Sequence, residues 1–443
     1  MQTNQLHVKA PGNWINDPNG FIYYKGMYHL FYQHFPYAPV WGTMHWGHAV
    51  SKDLVHWQHK GIALFPTKNY DRNGIFSGSA IEKDGKLYLY YSAVRYLEQE
   101  PENIHQAKDG KFETSQAMLI SDDGETFDNW NKKQQIIPVI RDAAVADAVH
   151  TRDPKVWEED GSYYMVLGST CAGRTGRVVV FGSEDGCHWD YVSQCKSPYG
   201  DIMECPDLFS VGDRRVFVGS PMGIGRDEKE YPHHSVCAFA DFDPKSGQLQ
   251  LNETYQRVDY GGDLYAPQSN LDAAGRRVLI AWMRMPLAVE TAGDKPWNGM
   301  MCLPRVVGIR DGHICFSVHP NVEAAFAPAD GIKTAMENGQ PVRFCADLNE
   351  GDAVTIGGYG IRMEQGCICT DRSRVFPADG YGIHSRTPKI DGTAHLEIFV
   401  EPNLIEVFIN DGFYVVSQVV YGLGSDIEGA IYDKKVFIQE DAQ

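Results

Sequence analysis

A turn glycine set between aromatic and aliphatic runs recurs five times in this chain. It appears at Gly26 within Tyr23–Tyr32, Gly85 within Glu82–Tyr91, Gly161 within Trp157–Val166, Gly212 within Val211–Val218 and Gly275 within Ala274–Ala281. Each copy reads as strand, tight turn, strand. The glycines lie 59, 76, 51 and 63 residues apart, the spacing of β-propeller blades whose loops differ in length. Helical periodicity is nearly absent. These features predict an all-β fold, a five-bladed β-propeller over residues 1–318.

A second repeat supports the same unit. Ser51-x-Asp53, Ser121-x-Asp123 and Ser183-x-Asp185 are each followed by an aromatic residue: Trp57, Phe127 and Trp189. This resembles the Asp-box turn of sialidase propellers. The Asp is expected to close a turn and the ring to pack between strands.

Three acidic motifs stand in register with the hairpins: Asn16-Asp17-Pro18-Asn19-Gly20, Arg152-Asp153-Pro154 and Glu204-Cys205-Pro206-Asp207. Asp17, Asp153 and Glu204 precede their turn glycines by nine, eight and eight residues. In a propeller the first strand of each blade is innermost. Asp17, Ser77, Asp153, Glu204 and Tyr265 would therefore ring the axis. Asp-Pro and Asn-Gly alone are common turn elements, but three acids in register across a repeat point to convergence. Converging carboxylates are what glycosidic cleavage needs, one as acid and one as nucleophile or base.

Beyond about residue 310 the pattern changes. Residues 319–340, enriched in Ala, Pro and Gly, read as a linker. Short alternating strands and the turn Asn410-Asp411-Gly412 then predict a β-sandwich over 341–443. Residues 95–116 read as a polar insertion at the rim, carrying Glu98, Glu100, Glu102 and His105.

A net charge of −18 argues against nucleic acid or an anionic membrane as a partner. Cys367 and Cys369 have no matching Cys or His pair, so no metal or cofactor is expected. The first residues carry no apolar run, and no stretch of about 18 apolar residues occurs; the expected location is cytoplasmic. A homo-oligomer is compatible with either domain.

The motifs taken together resemble glycoside hydrolase family 32, the invertases, exo-inulinases and levanases. The resemblance runs through Trp14–Gly20, Phe31–His34, Trp41–His48, Phe76–Ser79, Arg152–Pro154, Glu204–Asp207, Tyr265–Gln268, Trp297-x-Gly299, Leu303–Arg305 and Glu406–Asn410. Ile15 stands where Met is common in the family, and Phe35 where Asn is usual. The resemblance implies a five-bladed propeller followed by a β-sandwich. It also implies Asp17 as nucleophile, Glu204 as general acid/base and Asp153 as transition-state stabiliser. The family's fructose pocket maps onto Asn16, Gln33, Trp41, Ser77, Arg152 and Trp282.

On this reading the amides of Asn16 and Asn19 should keep Asp17 ionised, and Glu204 should have a raised pKa so that it holds a proton. The expected activity is retaining release of terminal fructose from sucrose and short fructo-oligosaccharides. Sucrose-6-phosphate hydrolysis, exo-fructanase action and transfructosylation are the alternatives within the family. Arabinosidases of related propeller families and a non-catalytic fructan-binding protein are the alternatives outside it.

Overall fold

The computed structural model describes residues 6–225, 233–290, 293, 295–379 and 381–438. The outer ends of the two expected domains, 1–5 and 439–443, lie outside the described residues. Strands make up nearly all of the regular structure of the described residues, which otherwise includes two short α-helices, Pro320–Ala324 and Ile332–Glu337. Among the described residues no helix is long and apolar enough to cross a membrane.

Five antiparallel sheets follow one another along the chain. The first holds Asn13–Tyr24, Met27–Phe35, His45–Ser51 and Trp57–Leu64. The second holds Gly74–Lys83, Lys86–Tyr96, Phe112–Ser121 and Lys133–Ile137, and the third Arg152–Glu159, Ser162–Cys171, Thr175–Ser183 and Asp190–Lys196. The fourth begins Asp207–Val211, Arg214–Gly219, Val236–Asp243, and the fifth Leu264–Leu271, Arg277–Met283.

Each sheet begins with a hairpin at a predicted glycine. In the first three, both turn residues have positive φ: Lys25 and Gly26, Asp84 and Gly85, Asp160 and Gly161. That is the conformation whose twist matches the flanking strands. The three Ser-x-Asp turns form as expected. Asp53 Oδ1 accepts from the amides of Val55 and His56, and Asp123 and Asp185 do the same in their own turns.

Successive sheets pack face to face, which explains why the middle strands are apolar on both sides. Leu87, Leu89 and Tyr91 face the first sheet, packing with Phe31 and Trp46. Tyr88 and Tyr90, one residue out of phase, face Met165, Val179 and Phe181 of the third. Val178 and Val180 meet Phe217 and Ala238 of the fourth. Val216 and Val218 meet Leu279 and Ala281 of the fifth. The series returns on itself where Val278 and Ile280 pack with Phe21, Leu30 and Tyr32 of the first sheet.

Trp297–Asn298 seals that junction by pairing in parallel with Asn13 and Trp14. The adjoining Met300–Met301 pairs with Trp282 and Met283 of the fifth sheet. Gly299, between them, has φ +91, and a Cβ there would lie 2.0 Å from the Ile15 carbonyl oxygen, so only glycine fits.

The C-terminal residues form a six-stranded and a five-stranded sheet. Their apolar faces share one core, with Phe344, Ile398 and Val407 opposite Ile356, Ile361 and Ile368. Residues 319–340 contain, besides the two helices, the strand Phe326–Pro328, which pairs with Tyr432–Phe437 at the edge of the six-stranded sheet. The polar insertion is shorter than its sequence suggests. Arg95 and Tyr96 pair with Glu113 and Phe112, which leaves 97–111 outside the ladder.

Candidate active site

The local device that presents the site residues is a β-bulge, repeated. In the first sheet Ile15 pairs with His34 and Pro18 with Tyr32, so Asn16 and Asp17 oppose Gln33 alone. The same one-residue excess falls at Phe76-Ser77, Asp153-Pro154 and Ala266-Pro267 in the second, third and fifth sheets. A bulge bends the strand and re-aims a side chain. Proline, lacking an N–H, suits a position where the ladder is interrupted. Asp153, Cys205 and Ala266, each just before a proline, take φ of 65°, 45° and 52°.

All nine residues read from the sequence line one cavity of about 550 Å³: Asn16, Asp17, Gln33, Trp41, Ser77, Arg152, Asp153, Glu204 and Trp282. Ser77 Oγ donates to Asp17 Oδ2 at 2.5 Å, and Asn16 Nδ2 donates to Oδ1 at 3.1 Å. Gln33 Nε2 donates to Ser77 Oγ at 2.6 Å, and Trp14 Nε1 to Asn16 Oδ1 at 2.8 Å. Asn19, expected to donate to the Asp17 carboxylate, instead donates to its backbone oxygen and accepts from the Gly78 amide. Its side chain bridges two bulges.

Asp153 and Asp17 converge on one sulfur, with Cys205 Sγ 3.6 Å from an oxygen of each. The Cys205 amide also donates to Asp153 Oδ2 at 2.9 Å. Burial pushes this thiol well up, and the surrounding carboxylates add to the effect. Arg152 Nη2 donates to Glu204 Oε1 at 2.6 Å, and its Nε lies 4.0 Å from Asp153. Tyr265 Oη is 2.8 Å from Glu204 Oε2 and 3.0 Å from the Ser220 carbonyl oxygen. Tyr265 ranked only as a ring position in the sequence; its bond to Glu204 depends on a neighbouring sheet.

The acids differ in proton affinity. Burial raises Asp17, against the opposing bonds from Ser77 and Asn16. Burial also raises Asp153; Arg152 pulls it back, and the Glu204 and Asp17 charges push it up again, to about 7. Glu204 departs from the expectation. Burial acts to raise it, but the charge and hydrogen bond of Arg152 and the bond from Tyr265 outweigh this, and its pKa is lowered. Of the two, Asp153 therefore holds a proton more readily than Glu204.

The aromatic walls come from several elements. Trp41 is half exposed and meets Phe76 edge-on, with ring centroids 6.0 Å apart. Trp282 lines the cavity and packs edge-on against Trp14 at 5.8 Å, while its buried Nε1 has no hydrogen-bond partner among the described residues. Tyr96, Gln106 and Phe112, in or beside the 97–111 segment, complete one side. His105 anchors that segment, bonding Thr43 Oγ1 at 2.8 Å and packing on Phe35 at 4.8 Å.

Convergent carboxylates in a cleft walled by aromatic rings, on an all-β frame, define a glycoside hydrolase. Residues 7–320 match the family model described as the glycosyl hydrolases family 32 N-terminal domain. The chain is 32% identical to a raffinose invertase of Escherichia coli, over 96% of this chain and 91% of that one. It is 31% identical to a sucrose-6-phosphate hydrolase of Bacillus subtilis (strain 168), over 93% of this chain and 87% of that protein. Among solved structures, a Bombyx mori family 32 β-fructofuranosidase superposes with a TM-score of 0.80 at 25% identity, covering 98% and 91% of the two chains. The protein belongs to glycoside hydrolase family 32.

Proposed function

We propose that this enzyme is a retaining β-fructofuranosidase that releases terminal fructose from sucrose and short fructo-oligosaccharides. The observation that carries the reading is that one cavity is lined by two acids with different partners. Asp17 receives hydrogen bonds from Ser77 and Asn16, while Glu204 is in contact with Arg152 and Tyr265. The five sheets are read as propeller blades over 1–318, and the two C-terminal sheets as a β-sandwich over 341–443 joined by 319–340.

In this mechanism Asp17 attacks the anomeric carbon while Glu204 gives its proton to the departing glycosidic oxygen. The carbon–oxygen bond breaks as the Asp17 ester forms. Water then attacks the anomeric carbon and gives its proton to Glu204 as the bond from that carbon to the Asp17 oxygen breaks, which frees Asp17. Asp153 accepts hydrogen bonds from sugar hydroxyls, which strengthen as the ring becomes positive. A sugar hydroxyl donating to Asp153 favours its anion, so binding shifts the shared proton towards Glu204. Asn16, Gln33, Ser77 and Arg152 bind hydroxyls, and Trp41 and Trp282 cover apolar sugar faces.

Hydrolysis of sucrose-6-phosphate is the second reading, supported by the names of several relatives. Among the described cavity residues the one arginine, Arg152, is bonded to Glu204, which favours an uncharged sugar. A product time course with sucrose, sucrose-6-phosphate, kestose, inulin and levan, beside Glu204→Ala, separates the readings. Fructose from sucrose or kestose, absent in the variant, is the expected result. Turnover of the phosphate ester alone would move the assignment to that substrate.

A further inference from the structure

The loop that leads into Tyr265 is held from two sides. Its own sheet pairs Leu264 and Tyr265 with Met283 and Trp282, and the C-terminal region holds the residues just before them. Tyr260 N donates to the Val415 carbonyl oxygen at 2.8 Å, and Asp259 Oδ1 accepts from the Ser417 amide at 2.9 Å. A Cβ on Gly261 would lie 2.0 Å from the Ser417 carbonyl oxygen, so the two backbones are as close as they can come. The tightest tie is at Asp263. Its Oδ2 accepts from the Val419 amide and Arg372 Nη1, and its Oδ1 from Arg372 Nη2, at 2.8, 2.5 and 3.1 Å. Both side chains are fully buried. Arg372 also reaches the Gly382 and Val419 carbonyl oxygens, at 2.8 and 2.9 Å.

Two residues after Asp263 comes Tyr265. The Asp263 carbonyl accepts from the Arg284 amide at 2.9 Å, and the Arg284 guanidinium stands 4.7 Å from the Tyr265 ring centroid. Arg284 thus contacts the ring and Glu204 its hydroxyl. Its hydroxyl has one proton and two neighbouring acceptors, Glu204 Oε2 and the Ser220 carbonyl. With the proton towards Glu204, Tyr265 stabilises the carboxylate. With the proton towards Ser220, its oxygen accepts from the protonated acid. This dual service requires the ring to be placed within a few tenths of an ångström.

We propose that Arg372 is a positioning residue for Glu204, acting across the interface through Asp263 and Tyr265. The inference rests on the reading of Glu204 as the acid/base. A planar fork with several fixed donors suits this task, and lysine cannot reproduce it. A buried ion pair of this kind adds little net stability over well-packed apolar groups but fixes one geometry.

The test compares the wild-type enzyme with Arg372→Lys, Tyr265→Phe, the double variant and Glu204→Ala, reading sucrose hydrolysis against pH. Arg372→Lys and Tyr265→Phe are each expected to lower kcat by about 10- to 100-fold with KM within about twofold. Both should move the alkaline limb of kcat/KM to higher pH, because the acid loses a donor to its anion. The double variant should be no worse than Tyr265→Phe alone. Losses that multiply in the double variant, or a wild-type pH profile with only a lower Tm, overturn the proposal. Asp263→Asn, which keeps shape and the Val419 contact, gives the same comparison if Arg372→Lys does not fold. Retained turnover in Glu204→Ala would instead overturn the acid/base reading itself.

Discussion

Ser77 has more influence on Asp17 than its size suggests. Burial raises the Asp17 pKa, and Ser77 is the foremost group opposing that rise. Ser77→Ala removes the donor and should raise Asp17 further. Since attack requires the anion, the acidic limb of kcat/KM should move to higher pH, with a loss of about tenfold that is greatest below neutrality. An unchanged acidic limb would mean that Asp17 is not the group titrating there. Asp17→Ala should abolish turnover, by on the order of 10⁴-fold, while calorimetry still detects fructoside binding. The acids were legible in the sequence because register within a repeat is a local property, countable from each turn glycine. The proton affinity of Glu204 was not. It depends on Arg152 and Tyr265, which reach it from two other sheets, and sequence distance carries no trace of that meeting.

The 97–111 segment contributes Gln106, Ala107 and Gly110 to the lining of the cavity. It closes the hairpin between Tyr96 and Phe112, which pair directly, so a two-residue Asn-Gly turn could replace it. That replacement should leave the hairpin intact and open the side of the cavity lined by Gln106, Ala107 and Gly110. The expected outcome is a change of at least about threefold in the kcat/KM ratio between kestose and sucrose; an unchanged ratio would show that the segment does not touch the substrate. Hairpins and turn boxes could be read from glycine and Ser-x-Asp spacing, since those residues determine their own φ and turn bonds. The strand Phe326–Pro328 could not. It is three residues long, and its partner lies more than a hundred residues away in sequence at Tyr432–Phe437.

Across the whole molecule, Leu6 and His7 are tied to the C-terminal sheets through buried charges. The Leu6 amide donates to Glu401, and the His7 ring stands between Glu401 and Glu406, with Nε2 2.8 Å from the latter. Glu406 also accepts from Arg305 and Ser417. Burial would lower the pKa of His7, but the two carboxylates outweigh it and raise it to about 9. A group with a raised folded pKa contributes stability that is full below about pH 6.5 and lost as pH rises through about 9. The contribution is on the order of 3 kcal/mol. The Tm of the wild type should therefore fall across pH 7–9 more steeply than that of His7→Gln, the curves converging at the alkaline end. Parallel curves would remove His7 from the account. The succession of five hairpin-led sheets was legible because each repeats its own turn; the clamp was not, because none of its members belongs to a repeat.

The strand Trp297–Asn298 also has a consequence for synthesis. It pairs with Asn13 and Trp14, and Trp14 holds Asn16, which in turn holds Asp17. In a growing chain the strand that braces Asp17 arrives about 280 residues after it. At typical translation rates that is a delay of roughly 15–60 s. Nascent intermediates are thus expected to be inert towards sugars, with the edge of the first sheet open to other partners. A fragment ending at residue 290 should show no turnover, and supplying the remainder as a separate chain should restore it.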